Sequence, residues 1–112
     1  MTPEDKELIR LAALAFFDSE DEATHAVVSL GWNPKDSNED AFMLAAWLDI
    51  WTHVSGRSFV SVSTPTRQMI YGTGFTAQCK AEDHGDVYTA LRRAILQVAA
   101  EIGRLKEEEH AR

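Results

Sequence analysis

Four histidines, His25, His53, His84 and His110, are the side chains best suited to hold a metal ion or shuttle a proton near neutral pH. No two of them stand at the i, i+4 spacing of a helical metal pair or the His-x-His spacing of a strand pair, so the sequence predicts no metal centre. The densest cluster is Asp83-His84-Gly85-Asp86, and a metal-dependent or hydrolytic enzyme built here would use Asp83, His84 and Asp86. The same residue types make an ordinary capped loop, with Asp86 as the N-cap of a following helix. Nucleophile signatures are missing, since neither Gly-x-Ser-x-Gly nor Ser-x-x-Lys occurs. Gly72-Thr73-Gly74 is too short for a dinucleotide turn and lacks the Lys-Ser/Thr of a phosphate loop. Cys79, the single cysteine, excludes an internal disulfide, and Lys80 points to the opposite strand face, badly placed to activate the thiol. The expectation is a non-enzymatic chain with no cofactor.

Binding residues are better represented. Trp32, Trp47 and Trp51 are candidate interface anchors, because tryptophan is enriched where proteins meet. Arg67, Arg92 and Arg93 are candidates for reading an anion, which would make the chain a small-ligand or nucleotide binding module. The net charge of −7 is unevenly spread: residues 1–40 carry ten acids and three bases, residues 41–112 eight of each. Asp18, Glu20, Asp21 and Glu22 are the densest point, a candidate docking patch for a basic partner protein. The acidic balance argues against direct nucleic-acid binding, which cations drive. No apolar run reaches the roughly 20 residues that span a bilayer, and the basic-then-apolar start of a signal peptide is lacking, so a cytoplasmic location is expected.

The elements that must position these residues follow from periodicity. A chain of 112 residues, 45% hydrophobic and 26% charged, has the size and composition of one soluble domain. Thr2 and Pro3 signal a first helix, with Asp5 three residues after the cap to answer its free amides, and Leu8, Leu11, Ala12, Ala15 and Phe16 form one apolar face. The acidic run at 18–22 ends this helix or forms the turn after it, and Thr24 to Leu30 fits a helix or a strand equally. Ser37 caps another helix, with Asp40 in the capping arrangement. From Ala41 to Ile50 that helix is apolar on nearly all sides, so it is either central to the core or shared with a partner, and it predicts a homodimer. Trp47 and Trp51 are i, i+4 neighbours if the helix continues; alternatively Trp51 to Val54 is a short edge strand.

From Trp51 to Ala81 the pattern turns to period two. Strands are predicted at Phe59-Val62 and Met69-Tyr71, and at Phe75–Ala81 with Ala77 and Cys79 facing one way and Thr76, Gln78 and Lys80 the other. Gly72-Thr73-Gly74 is a turn between them. Tyr88, Leu91, Ile95, Val98, Ile102 and Leu105 then make a narrow stripe along a last helix over residues 85–105, followed by a frayed tail at 106–112. The result is a single α+β domain over 1–112, an α/β sandwich. Its acidic helical part (1–50) and C-terminal helix pack on an antiparallel meander of three or four strands (51–81).

Two segments, Gly31-Trp32-Asn33-Pro34-Lys35-Asp36 with Glu39-Asp40-Ala41-Phe42-Met43-Leu44-Ala45, and Asp86-Val87-Tyr88-Thr89-Ala90-Leu91-Arg92-Arg93-Ala94-Ile95-Leu96, resemble the small bacteriophage and prophage proteins of the phage ABA-sandwich type. The resemblance covers roughly residues 31–50 and 84–103. It implies a phage or prophage origin, an α-β-α sandwich and no catalytic residues. In size and charge alone the chain is similar to small acidic phage inhibitors of host defence, including inhibitors of CRISPR complexes. The expected function is therefore that of an accessory protein that binds a host or phage protein, possessing no membrane or nucleic-acid partner.

Overall fold

The computed structural model describes residues 2–56, 59–63 and 76–110, except for the side chain of His110. Its elements are α1 (Pro3–Phe16), α2 (Glu20–Ser29), α3 (Asn38–Trp47), β1 (Trp51–Ser55), β2 (Phe59–Ser63), β3 (Thr76–Lys80), α4 (Ala81–His84) and α5 (Val87–His110). The fold is α+β: a three-stranded antiparallel sheet in the order β1-β2-β3 lies against α5, and α1 packs along α5. No helix among the described residues is long and apolar enough to cross a membrane.

Capping side chains explain where the helices start. Thr2 Oγ1 accepts the Asp5 amide at 3.1 Å and opens α1 with Pro3 in its first turn. The Asp5 carboxylate, however, does not answer those free amides; it pairs with Arg93 of α5 at 2.5 Å. Asp18 lies in the turn after α1, but the rest of the acidic run opens α2. Ser19 Oγ accepts the Glu22 amide at 3.1 Å, and Glu20, Asp21 and Glu22 fill a first turn where the helix dipole favours carboxylates. That start decides 24–30 in favour of a helix. In α3, Ser37 Oγ accepts from Asp40 N at 3.2 Å, while the Asp40 carboxylate reaches back to the Asn33 amide at 2.9 Å, pinning the Trp32-Asn33-Pro34 turn.

α3 stops at Trp47. Asp49 takes a positive φ of 52°, and Ile50 N donates to Ala45 O at 2.8 Å, so the helix closes and Trp51 opens β1. The expected i, i+4 pairing of Trp47 with Trp51 on one helix is therefore not formed. β1 pairs with β2 from Trp51↔Ser63 to Ser55↔Phe59, and β2 with β3 from Phe59↔Lys80 to Ser63↔Thr76. Val60, Val62 and Cys79 face the core. The predicted alternation along the last strand holds, with Ala77 and Cys79 inward and Thr76, Gln78 and Lys80 exposed, but Ala81 starts α4 instead of ending the strand. The strand expected at Met69-Tyr71, the Gly72-Thr73-Gly74 turn and Arg67 lie outside the described residues.

Gly85, at φ 94°, separates α4 from α5, and Asp86 Oδ1 accepts from Thr89 N at 2.7 Å as the expected cap. The tail predicted to fray after residue 105 is helical to His110. It is held by Lys106 Nζ on Leu14 O (2.8 Å) and Phe17 O (3.0 Å), and by an Arg10–Glu107 ion pair at 2.6 Å. The lysine satisfies carbonyls that the end of α1 leaves without helical partners. The apolar stripe is also wider than predicted. Ile95, Val98 and Ile102 are buried as expected, Tyr88 is exposed, and a second buried face is formed by Leu96, Ala99, Ala100 and Gly103. A β-carbon on Gly103 would lie 1.8 Å from Leu11 O, so this small-residue face is where α1 crosses α5 at close range. α5 is thus the central element, buried on two sides.

Candidate functional site

α3 divides its apolar residues between two destinations. Ala41, Leu44 and Ala45 are buried in the core against α5, while Phe42, Met43, Ala46 and Trp47, at i, i+1, i+4 and i+5, are all exposed. Met43 is 54% exposed and Trp47 70%. A helix apolar all round was expected to be either central or shared; here half of it is in the core and half faces water. Phe42, Met43, Ala46 and Trp47 thus give α3 an exposed apolar face, the kind of surface that proteins use for contacts when it forms a contiguous patch.

Trp47 also has an aromatic neighbour at its base. Its ring lies 6.1 Å from Phe16, centroid to centroid; Phe16 lies 5.8 Å from Trp32 and 4.9 Å from Phe17, and Phe17 meets Trp32 edge-on at 5.5 Å. The ends of α1 and α3 and the segment after α2 converge on this cluster, which backs Trp47 from behind. Trp32 is half-buried within it and serves packing, whereas Trp51, on β1, is 51% exposed. The three tryptophans predicted as anchors are thus one exposed and backed, one inside the backing, and one on the sheet edge.

The acidic residues begin where the aromatic cluster ends. Asp18 follows Phe17 directly, and Asp18, Glu20, Asp21 and Glu22 are all exposed. A cavity of about 360 Å³ opens between Leu14, Phe17, Asp18, Glu20, Lys106 and Glu107.

Of the candidate arginines, Arg92 and Arg93 are occupied. Arg92 donates to Lys35 O at 2.8 Å, Asn38 Oδ1 at 2.6 Å and Thr89 Oγ1 at 3.1 Å, so its guanidinium fastens the turn before α3 to α5. This side chain adds a polar link to the apolar packing of α3 on α5. Arg93 lies on a different face, and its hydrogen bond holds the Asp5 carboxyl below the usual carboxylate range. Asp5, Lys35, Asp36, His84, Thr89 and Arg93 line a cavity of about 350 Å³ in which Arg93 and Lys35 already face carboxylates, Lys35 with Asp36 at 3.4 Å.

The candidate catalytic trio is not drawn together as a site. Asp83 is exposed on α4, His84 faces the Arg93 cavity, and Asp86 is engaged as a cap, the Thr89 amide lowering its pKa. Among the described residues, no three His, Cys, Asp or Glu side chains are grouped to hold a metal ion. Cys79 is buried, and burial pushes its thiol pKa up, which makes it a poor nucleophile. His25 and His53 are exposed on α2 and β1.

In comparisons with known proteins, no family model, curated protein or solved structure matches the chain. Sequence reasoning missed Phe42 and Met43 as surface residues, although the apolar circumference of α3 was their signal.

Proposed function

We propose that this protein is a small non-enzymatic accessory protein that acts by binding another protein. Its contact surface is centred on Trp47, Met43 and Phe42, and the exposed acidic residues Asp18, Glu20, Asp21 and Glu22 are the patch that a basic partner would meet. The observation that carries the proposal is the exposed apolar face of α3, with Trp47 70% exposed yet braced by Phe16. A braced aromatic loses little conformational entropy when it is covered, which is what makes such residues hot spots. The acidic patch supplies steering toward a basic partner and discrimination against nucleic acid. The sequence resemblance supports a phage or prophage source, and in that setting the partner is a host or defence factor whose basic surface the protein blocks, in the bacterial cytoplasm. Binding of a small ligand near Arg92 and Arg93 is less well supported, because both guanidinium groups already hold protein oxygens.

The test is affinity capture from a bacterial host lysate with paired variants. The partner captured by the wild-type chain is lost with Trp47→Ala and weakened by charge reversal at Asp18, Glu20, Asp21 and Glu22, while thermal stability shows each variant folded. Equal capture by Trp47→Ala would overturn the assignment of α3 as the contact surface.

A further inference from the structure

A groove runs between α1 and α2. Glu20, Ala23, Thr24, Val27 and Val28 recur along α2 at i, i+3, i+4, i+7 and i+8, and Arg10, Ala13 and Leu14 recur in the same way along α1. Each helix therefore turns one face to a shared cavity of about 240 Å³. The buried residues that line it, Ala13 and Ala23, are small, and Leu14, Val27 and Val28 make its wall apolar, with Val28 78% exposed. The cavity of about 360 Å³ at the end of α1 shares Leu14 and Glu20 with this groove, so the two adjoin.

Charge selects the occupant. The bases that line the two cavities are Arg10 and Lys106, and both are committed: Arg10 to Glu7 and Glu107, and Lys106 to the carbonyls of Leu14 and Phe17. The carboxylates of Asp18 and Glu20 have no polar partner among the described residues. Around the groove, then, the acids Glu7, Asp18, Glu20 and Glu107 outnumber the cations, and that surplus is complementary to a basic partner. A second copy of the chain, with its net charge of −7, is disfavoured by the same field.

Backbone chemistry selects the partner's conformation. Within α1 and α2 the N–H and C=O groups are paired inside each helix, so the groove offers no ladder to an extended segment, whereas a helix brings its own backbone bonds with it. Glu20 to Val28 covers about 12 Å along the axis of α2, the reach of a helix with anchors at i, i+3 or i+4, and i+7.

We propose that the α1–α2 groove seats an amphipathic basic helix of a partner protein. Its apolar anchors enter beside Ala13, Leu14, Ala23 and Val27, and its Lys or Arg side chains meet Asp18 and Glu20. The assignment rests on the reading that Asp18 and Glu20 face a basic partner, and it involves no residue of α3.

The probe is a fluorescein-labelled peptide of leucine and lysine in helical register, about 14 residues long, titrated into the full chain by fluorescence anisotropy. Wild type binds it, and binds a peptide with serine in place of leucine at least about tenfold more weakly. Thr24→Lys, at an exposed position in the groove, and Glu20→Lys each weaken binding by about tenfold or more. Glu39→Lys makes the same charge change as Glu20→Lys at an exposed residue that lines neither cavity, and weakens binding by less than about threefold. Urea unfolding shows each variant folded. No binding up to about 1 mM, equal binding of the leucine and serine peptides, or wild-type binding by Thr24→Lys overturns the proposal. Trp47→Ala is expected to bind the peptide as wild type does, so this inference and the assignment of α3 fail separately. Loss of binding with Trp47→Ala in place of Thr24→Lys would seat the peptide on α3 and overturn the groove.

Discussion

Replacing Gly103 with alanine tests the architecture at its tightest point. The new β-carbon would lie 1.8 Å from Leu11 O and 2.6 Å from Leu11 C, where real β-carbons essentially never come within 3.0 Å. Both contacts are backbone, so no rotamer change relieves them, and α1 must move from α5 by more than 1 Å. That movement opens gaps along the face formed by Ala12, Ala13, Ala99 and Ala100, each at most 1% exposed. Alanine gains about 1 kcal/mol over glycine in a helix interior. Overpacking costs about 1–3 kcal/mol where side chains can adjust, and more against backbone, so the expected net loss is about 2–4 kcal/mol. Urea unfolding followed by circular dichroism gives the free-energy difference, and the expected fall in Tm is on the order of 10 °C or more for a domain of this size. A Gly103→Ala protein as stable as wild type would refute the close α1–α5 crossing.

Other consequences follow from single contacts. Arg92→Ala loses the link between α5 and the turn before α3, and stability falls by about 1–3 kcal/mol in the same unfolding assay; Arg92→Lys does not restore it, since an ammonium cannot span Lys35 O and Asn38 Oδ1 as the planar fork does. Asp5 has its folded pKa depressed by Arg93, so its contribution is present above the unfolded carboxylate value of about 3.9 and is lost as pH falls through the lower folded value. Stability measured against pH therefore declines on the acid side, and Asp5→Asn lowers the plateau near neutral pH while flattening that decline. Cys79, buried with a raised pKa, is expected to resist thiol reagents in the native protein and to react in denaturant, as a labelling time course shows.

Helix starts and strand alternation were legible in the sequence because they are local. Thr2, Ser37 and Asp86 announce their helices by type and spacing, and the period-two face of β3 is visible in Ala77 and Cys79. The start of α2 was equally local, in Ser19 followed three residues later by Glu22, but the density of acids around it suggested a turn. What escaped depends on partners far along the chain. Asp5 meets Arg93 across 88 positions, and Arg92 meets Lys35 across 57, and no periodicity encodes either pair. The second buried face of α5 was hidden by its own chemistry, because Ala99, Ala100 and Gly103 look like spacers unless another backbone is known to press on them. For the candidate site, apolarity around α3 left open which side enters the core, and only the packing of Leu44 inward showed that Phe42, Met43 and Trp47 face water.

Protein binding by the exposed face of α3 makes a prediction that separates affinity from stability. The captured partner is titrated against wild type and Trp47→Ala, with the variant's unfolding free energy measured alongside. Loss of a buried hot-spot tryptophan costs about 2–4 kcal/mol of binding, a weakening of about 30-fold to 1,000-fold. Trp47 is largely exposed in the free chain, so the variant's stability is expected to change by less than about 1 kcal/mol. Weakened binding with an intact fold is the expected result; unchanged affinity with an intact fold would show that this face of α3 does not bind the partner.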